Sequence, residues 1–302
     1  MTDKQDAARD VFSLPGWQIL EATGADAATF LQAQTMNDLR PLAAGRWQWN
    51  GWLNPKGRLI ALFMLAMIGP QHFWLVAPDF QAEALAERLR RFVFRSKVKL
   101  LTRTDLGAVG CFAAPAQAGG DAFVFTRESD GEWAEFDLGG EGGARRLVFC
   151  RRASATMPAS EITAAEGATA SDGEAQNWLA FDIAHGLPRL SMAQSEQWTP
   201  QMLSLERLHA FSLKKGCYPG QEIVARTHFL GKAKRELVRV QGTTLTEGAD
   251  IVVDGHVLGS IVSSAGDEAL AVLTAERPDQ GWHCGGAACH ERPLCRLSRA
   301  SA

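Results

Sequence analysis

Apolar positions 27, 30 and 31 share one face of a helical repeat and predict a short helix over residues 26–34. Residues 59–68 are almost continuously apolar and end at Gly69-Pro70, a turn signal. Residues 72–77 then return as a second strand, so the pair predicts a hairpin. Pro78-Asp79 opens a helix expected over 80–94, with Ala82, Leu85, Leu89 and Phe92 near helical spacing. Residues 98–104 read as a strand. Strand–strand–helix–strand is part of a ferredoxin-like layer of helices on an antiparallel sheet, which sets the class as α+β.

Further on, strand candidates at 122–125, 133–136 and 146–150 are broken by Gly-rich turns such as residues 139–143. Residues 153–175 are rich in Ala, Ser, Thr and Glu and are expected to be a mobile surface connection. A helix over 178–184 is ended by Gly186 and Pro188. Thr199 is expected to cap a second helix, with Pro200 at its first position. From Glu236 the pattern turns to β, with strands at 237–241, 250–253, 256–263 and 269–274 and a hairpin signal at Asp254-Gly255. Several short strands with regular turns predict a small C-terminal β-barrel. The expected division is residues 1–110, an N-terminal α+β domain; 111–235, a second α+β domain; and 236–302, the barrel.

The chain of 302 residues is long enough for two or three cores. Its 46% hydrophobic and 22% charged residues are ordinary for a globular protein, and a net charge of −3 argues against a surface that coats nucleic acid broadly. The first ten residues are polar and do not form a signal peptide. The longest apolar run, 59–69, is too short to cross a bilayer. No membrane partner is expected, and the location reads as cytoplasmic. In that reducing setting the six cysteines, at 111, 150, 217, 284, 289 and 295, are expected as free thiols.

The densest candidate chemistry lies in a loop expected over residues 214–228, Lys-Lys-Gly-Cys-Tyr-Pro-Gly-Gln-Glu-Ile-Val-Ala-Arg-Thr-His. Gly216, Pro219 and Gly220 specify a tight turn whose backbone can approach a ligand. Tyr218 is the chain's single tyrosine. Gln221 and Glu222 supply an amide and a carboxylate that suit a heterocycle with donors and acceptors. Lys214, Lys215, Arg226, His228, Lys232, Lys234 and Arg235 make a basic cluster that suits an anion. Cys217 is read either as a small apolar turn residue or as a functional thiol favoured as thiolate by Lys215.

The octapeptide from Lys215 to Glu222 resembles the signature of the YgfZ family of folate-binding proteins, relatives of the T-protein (aminomethyltransferase) of the glycine cleavage system. Segments 24–38, 50–58 and 199–203 are similar to other parts of that family, so the resemblance spans most of residues 15–240. It implies a T-protein-like architecture: two ferredoxin-like α+β domains and a C-terminal β-barrel around a central ligand site. It also implies tetrahydrofolate or a derivative as cofactor. The implied role is in assembly or repair of iron–sulfur enzymes, and thereby in tRNA modification, with iron–sulfur proteins or their assembly machinery as partners. Direct contact with tRNA is a further partner expectation.

A pterin needs amide or carboxylate groups at its edge, an apolar slot for its rings and cations for its glutamate tail. Asn50, Gln221 and Glu222 suit the first, Trp52, Trp178 and Tyr218 the second, and Lys56, Arg58 or Arg226 the third; Lys215, Gly216 and Gly220 shape the loop that holds them. One departure stands out. T-proteins hold the pterin with a Glu in a segment like Arg-Leu-Glu-Ala-Gly-Leu-Pro, and here Ala184 stands at that position. Two alternatives therefore stay open: a tetrahydrofolate-dependent aminomethyltransferase, and an RNA- or protein-docking module without folate. The pairs His283-Cys284 and Cys289-His290, with Cys295, fail the spacing of a zinc site, so no metal is expected.

Overall fold

Both faces of the longest apolar run are covered, which is why it shows no alternation. The computed structural model describes residues 11–128, 131–151, 172–231 and 234–297. Its first strand, β1 (Val11–Ser13), leaves at once for a distant partner. The next strands, β2 (Trp17–Thr23), β3 (Arg46–Leu53), β4 (Leu59–Gly69), β5 (His72–Pro78) and β6 (Lys99–Thr102), form an antiparallel sheet in the order β3-β4-β5-β2-β6. Helices α1 (Ala27–Gln34) and α2 (Ala82–Arg90) lie on one face of it. There Phe30, Leu31, Leu85 and Leu89 pack on Phe63, Leu65, Phe73 and Leu75. The opposite face carries Leu62, Met64, Trp74 and Val76 into a larger core. Alternate residues of β4 and β5 thus enter two different cores.

That larger core is closed by a second antiparallel sheet, β1-β7-β10-β9-β8, built from β1, β7 (Leu106–Cys111), β8 (Val124–Glu128), β9 (Gly131–Asp137) and β10 (Arg146–Arg151). The boundary expected at 110/111 falls inside β7, whose pairing with β1 and β10 assigns residues before 111 to this sheet. Helix α3 (Asp172–Ala184) runs between β1 and the C-terminal strands. Those strands, β11 (Arg235–Gly242), β12 (Asp250–Val253), β13 (His256–Ala265), β14 (Glu268–Thr274), β15 (Trp282–Cys284) and β16 (Ala287–Arg292), close into a six-stranded barrel. Asp254 and Gly255 turn β12 into β13 with φ of 47° and 78°, the left-handed pair that a two-residue hairpin requires.

Four local expectations need correction. Helix α2 is shorter than 80–94, because Phe92 and Val93 donate three residues back, to Leu89 and Arg90, and the helix tightens and stops. No α-helix follows Thr199. Its hydroxyl does accept from Met202 N at 3.3 Å, but Ser204 and His209 sit at φ 49° and leave only a 3-10 helix at Leu205–Leu208. Residues 214–228 are only half loop, since helix α4 (Gln221–Leu230) begins immediately after Gly220. The expected mobile connection over 153–175 lies outside the described residues as far as 171, and α3 takes up its end. Among the described residues, no helix is long and apolar enough to cross a membrane.

Candidate functional site

Where the two sheets face each other beside the 3-10 helix, they leave a cavity of about 960 Å³. Trp47 and Trp49 form its apolar wall, edge to face at 5.8 Å. They reach it together because residues two apart in β3 point the same way. Asp137, at the end of β9, and Asp38 bring carboxylates to the cavity. The turns flanked by Ser204 and His209 present Glu206 and Arg207, and Lys214 and His228 add cationic or neutral donors.

Electrostatics set these groups apart. Arg40 donates to Asp38 and holds its carboxyl at about 2. Partial desolvation by neighbouring groups pushes Glu206, which remains exposed, up from the ordinary carboxylate value, and burial pulls the half-buried Arg207 down. Arg207 Nη2 donates to His185 O at 3.2 Å, while its Nη1 is buried without a partner among the described residues.

Of the basic cluster singled out in the sequence, Lys214 and His228 line this cavity, whereas the residues expected to hold the pterin and its tail do not. Asn50 is fully buried, and its Oδ1 accepts from the main-chain N of Asn37 and of Gly51 at 2.9 Å. Asn37 does line the cavity, and its Nδ2 donates to Trp49 O at 3.0 Å and His209 O at 2.6 Å. Asn50 thus supports the wall from behind. Lys215 does the same from another side: its Nζ donates to the carbonyls of Gln32, Thr35 and Asn37 and lies 4.9 Å from the Tyr218 ring. These carbonyls belong to the end of α1 and the turn after it, groups a helix leaves unpaired. Burial lowers Lys215 to about 8. Its donors serve α1 and not the Cys217 thiol, so the reading of Lys215 as the cation that activates Cys217 has no hydrogen bond behind it.

Tyr218 is buried, its hydroxyl pushed to about 12, and it packs in the larger core. Gln221 Nε2 donates to Lys215 O at 3.1 Å and closes the signature turn. Gly220, at φ 77°, crosses the β3–β4 loop so closely that a Cβ would lie 2.6 Å from Asn54 O and 2.8 Å from Gly57 Cα. Gly216, Cys217, Glu222 and Arg226 are exposed, and Cys217 is the one cysteine of the six in that state. Lys56 is exposed on the β3–β4 loop, where Arg58 donates to Gln197 O.

The two tryptophans proposed for the ring slot lie elsewhere. Trp52 is on the opposite face of β3 from Trp47 and Trp49, in the α1–α2 core and edge-on to Phe92 at 5.9 Å. Trp178 is buried beneath the Arg145 guanidinium, 4.1 Å from its ring centroid. Arg145 is itself fully buried and paired with Asp182 at 2.7 Å; Asp182 also holds Arg189 at 2.8 Å, and Arg189 reaches Asp79. In the barrel, Cys284 and Cys289 face the core while His283 and His290 are exposed, so strand alternation separates them. Among the described residues, no group of three His, Cys, Asp or Glu side chains is placed to hold a metal.

The fold matches that of a solved aminomethyltransferase. The crystal structure of glycine cleavage system aminomethyltransferase T from Bartonella henselae superposes with a TM-score of 0.72 over 94% of this chain and 85% of that one, at 15% identity. The GCVT N-terminal domain family matches residues 11–110. The tRNA-modifying protein YgfZ of Escherichia coli O157:H7 (strain EC4115 / EHEC) is 30% identical over 239 residues, 77% of this chain and 72% of the relative. That of Shigella boydii serotype 4 (strain Sb227) matches equally, at 30% over 239 residues. The chain belongs to the YgfZ family and has a T-protein-like fold with a closed six-stranded C-terminal barrel.

Proposed function

We propose that the cavity binds tetrahydrofolate or one of its derivatives. The observation that carries this reading is the meeting of two indole walls with the Glu206 carboxylate and the Arg207 and Lys214 cations in one cavity. A volume of about 960 Å³ holds a pterin with its benzoyl-glutamate tail. Trp47 and Trp49 cover the flat rings. The carboxylate of Glu206 or Asp137 accepts from the amino–amide edge, and Arg207 and Lys214 meet the anionic tail. The test is calorimetric titration and thermal melting with several reduced folates. Saturation at a hundred times the dissociation constant adds about 2.7 kcal/mol of stability. A melt unmoved by every reduced folate overturns the reading.

The protein serves assembly or repair of iron–sulfur enzymes in the cytoplasm and, through one of them, tRNA modification. Support comes from the family, whose relatives carry the name tRNA-modifying, and from the exposed Cys217 thiol in the shared signature. Aminomethyl transfer is expected to be absent or very slow, because Ala184 stands where T-proteins hold the pterin with a carboxylate. Rapid folate-dependent ammonia release from an aminomethylated lipoyl carrier would reverse that expectation.

A further inference from the structure

Residues 88–99 carry six cations, Arg88, Arg90, Arg91, Arg95, Lys97 and Lys99, and no acidic residue. Two are neutralised locally, Arg88 by Glu196 at 3.0 Å and Arg90 by Glu83 at 2.7 Å. The other four are exposed, and no carboxylate among the described residues pairs with them. Set among them are aromatic rings that the fold leaves in solvent: Phe94 is 88% exposed and Phe92 41%. Leu101, on the neighbouring edge strand β6, is 42% exposed. Lysines on an edge strand discourage sheet-to-sheet pairing by themselves, but that role gives no reason for an exposed phenylalanine. On a chain of net charge −3, unpaired cations interleaved with exposed rings make a local surface complementary to a polyanion that also offers flat apolar faces.

We propose that the end of α2 and the edge strand β6 form a docking surface for a single-stranded stretch of RNA. Arg91, Arg95, Lys97 and Lys99 track the phosphates, and an unpaired base stacks on Phe94. Behind this surface, buried contacts reach the family signature. Phe92 abuts Trp52 at 5.9 Å, Trp52 bridges Thr35, and the Thr35 carbonyl accepts from Lys215, two residues before Cys217.

The inference does not rest on folate binding, and its test is run without folate, so either reading can fail alone. Fluorescence anisotropy of a labelled twelve-nucleotide oligouridylate with the full-length protein is the readout, repeated with a duplex RNA of equal length and with polyglutamate. The oligouridylate is expected to bind with a salt slope of about −0.7 for each phosphate neutralised. Arg91→Ala with Lys97→Ala then weakens binding and flattens the slope by about 1.4. Phe94→Leu weakens binding roughly 5- to 10-fold at an unchanged slope, and Phe94→Trp retains it, since stacking needs a π-face that leucine lacks. All are surface changes, checked by unaltered melting temperature. Four results overturn the proposal: no RNA binding; equal binding of duplex; Phe94→Leu neutral with polyglutamate bound as well as RNA, which marks an acidic-protein surface; or loss through Arg226→Ala alone, which moves the contact to α4.

Discussion

Lys215 Nζ and the main-chain oxygen of Asn37 are 3.2 Å apart, so the signature segment grips the cavity wall from behind through its ammonium group. The same amine satisfies Gln32 and Thr35 at the end of α1. One side chain therefore couples the helix end, the wall and the Cys217 turn.

Burial of that ammonium group gives the stability a pH signature. Lys215 is lowered from 10.5 to about 8 in the folded state. Between those values the unfolded chain binds the proton and the folded one releases it, so stability rises with pH. The contribution is fully present above the unfolded value and is lost as pH falls through about 8. Its upper bound is about 3 kcal/mol. Melting temperatures of the native protein and Lys215→Met, followed from pH 7 to 10.5, should separate in favour of the native protein as pH rises. A constant difference would show that Lys215 keeps its proton throughout.

Glu206 should make folate affinity pH-dependent. Partial desolvation by its neighbours raises Glu206, though it stays exposed, above its ordinary value of 4.5, so the carboxylate that accepts from the pterin edge protonates earlier than an unperturbed one as pH falls. Affinity is expected to fall as pH drops through that raised value. Glu206→Gln should bind roughly 10- to 100-fold more weakly at neutral pH and lose this acid limb, since a charged hydrogen bond is worth about 1.5–3 kcal/mol. Titration calorimetry at several pH values measures both. An unaltered affinity would transfer the edge contact to Asp137.

Cys217 should alkylate first. It alone of the six cysteines is exposed, while Cys111, Cys284 and Cys289 are buried. Burial also raises Cys284, and lifts Cys289 to about 11. Timed iodoacetamide labelling with peptide mass mapping should show Cys217 modified ahead of the rest. Cys217→Ala should leave the melting temperature nearly unchanged, because no core contact is removed. If the variant folds but fails to restore iron–sulfur enzyme activity in cells lacking the protein, the thiol has a functional part. Full restoration removes it from the mechanism.

Asp182→Asn should be severely destabilising. It leaves Arg145, fully buried above Trp178, without its counter-charge and weakens the hold on Arg189. Breaking such a buried pair costs about 3–5 kcal/mol. Guanidinium unfolding should show a lower midpoint at an unchanged slope. A loss under about 1 kcal/mol would mean that water or relaxation replaces the pair.

Much of the fold was legible because its pattern is local. The β4–β5 hairpin follows from an apolar run closed by Gly69-Pro70, and the barrel from short strands with an Asp254-Gly255 turn. The site was legible only in part. Asn50 and Lys215 are close to it, but they act through Asn37, a relation that spacing does not carry. Trp47 and Trp49 were open to inference from alternation, since residues 47 and 49 share a face of β3 that residue 52 does not. Glu206 and Arg207 had no such signal. They are presented by turns bounded by two left-handed residues, Ser204 and His209, neither a glycine, and no periodicity announces that conformation. The Thr199-Pro200 helix signal misled for the same reason.

The short strand β1 pairs with β7, with Val11 opposite Cys111, a hundred positions later in the chain. A ribosome adding about 5–20 residues per second needs roughly 5–20 s to deliver that partner. Through that interval the first sheet can condense on α1 and α2, whose contacts are all made by then, while Val11–Ser13 has nothing to pair with. The second sheet is further delayed until β10 emerges to flank β7. Birth order thus exposes Phe12 during synthesis, and a chaperone that shields nascent apolar segments would find its earliest claim there rather than in the later barrel.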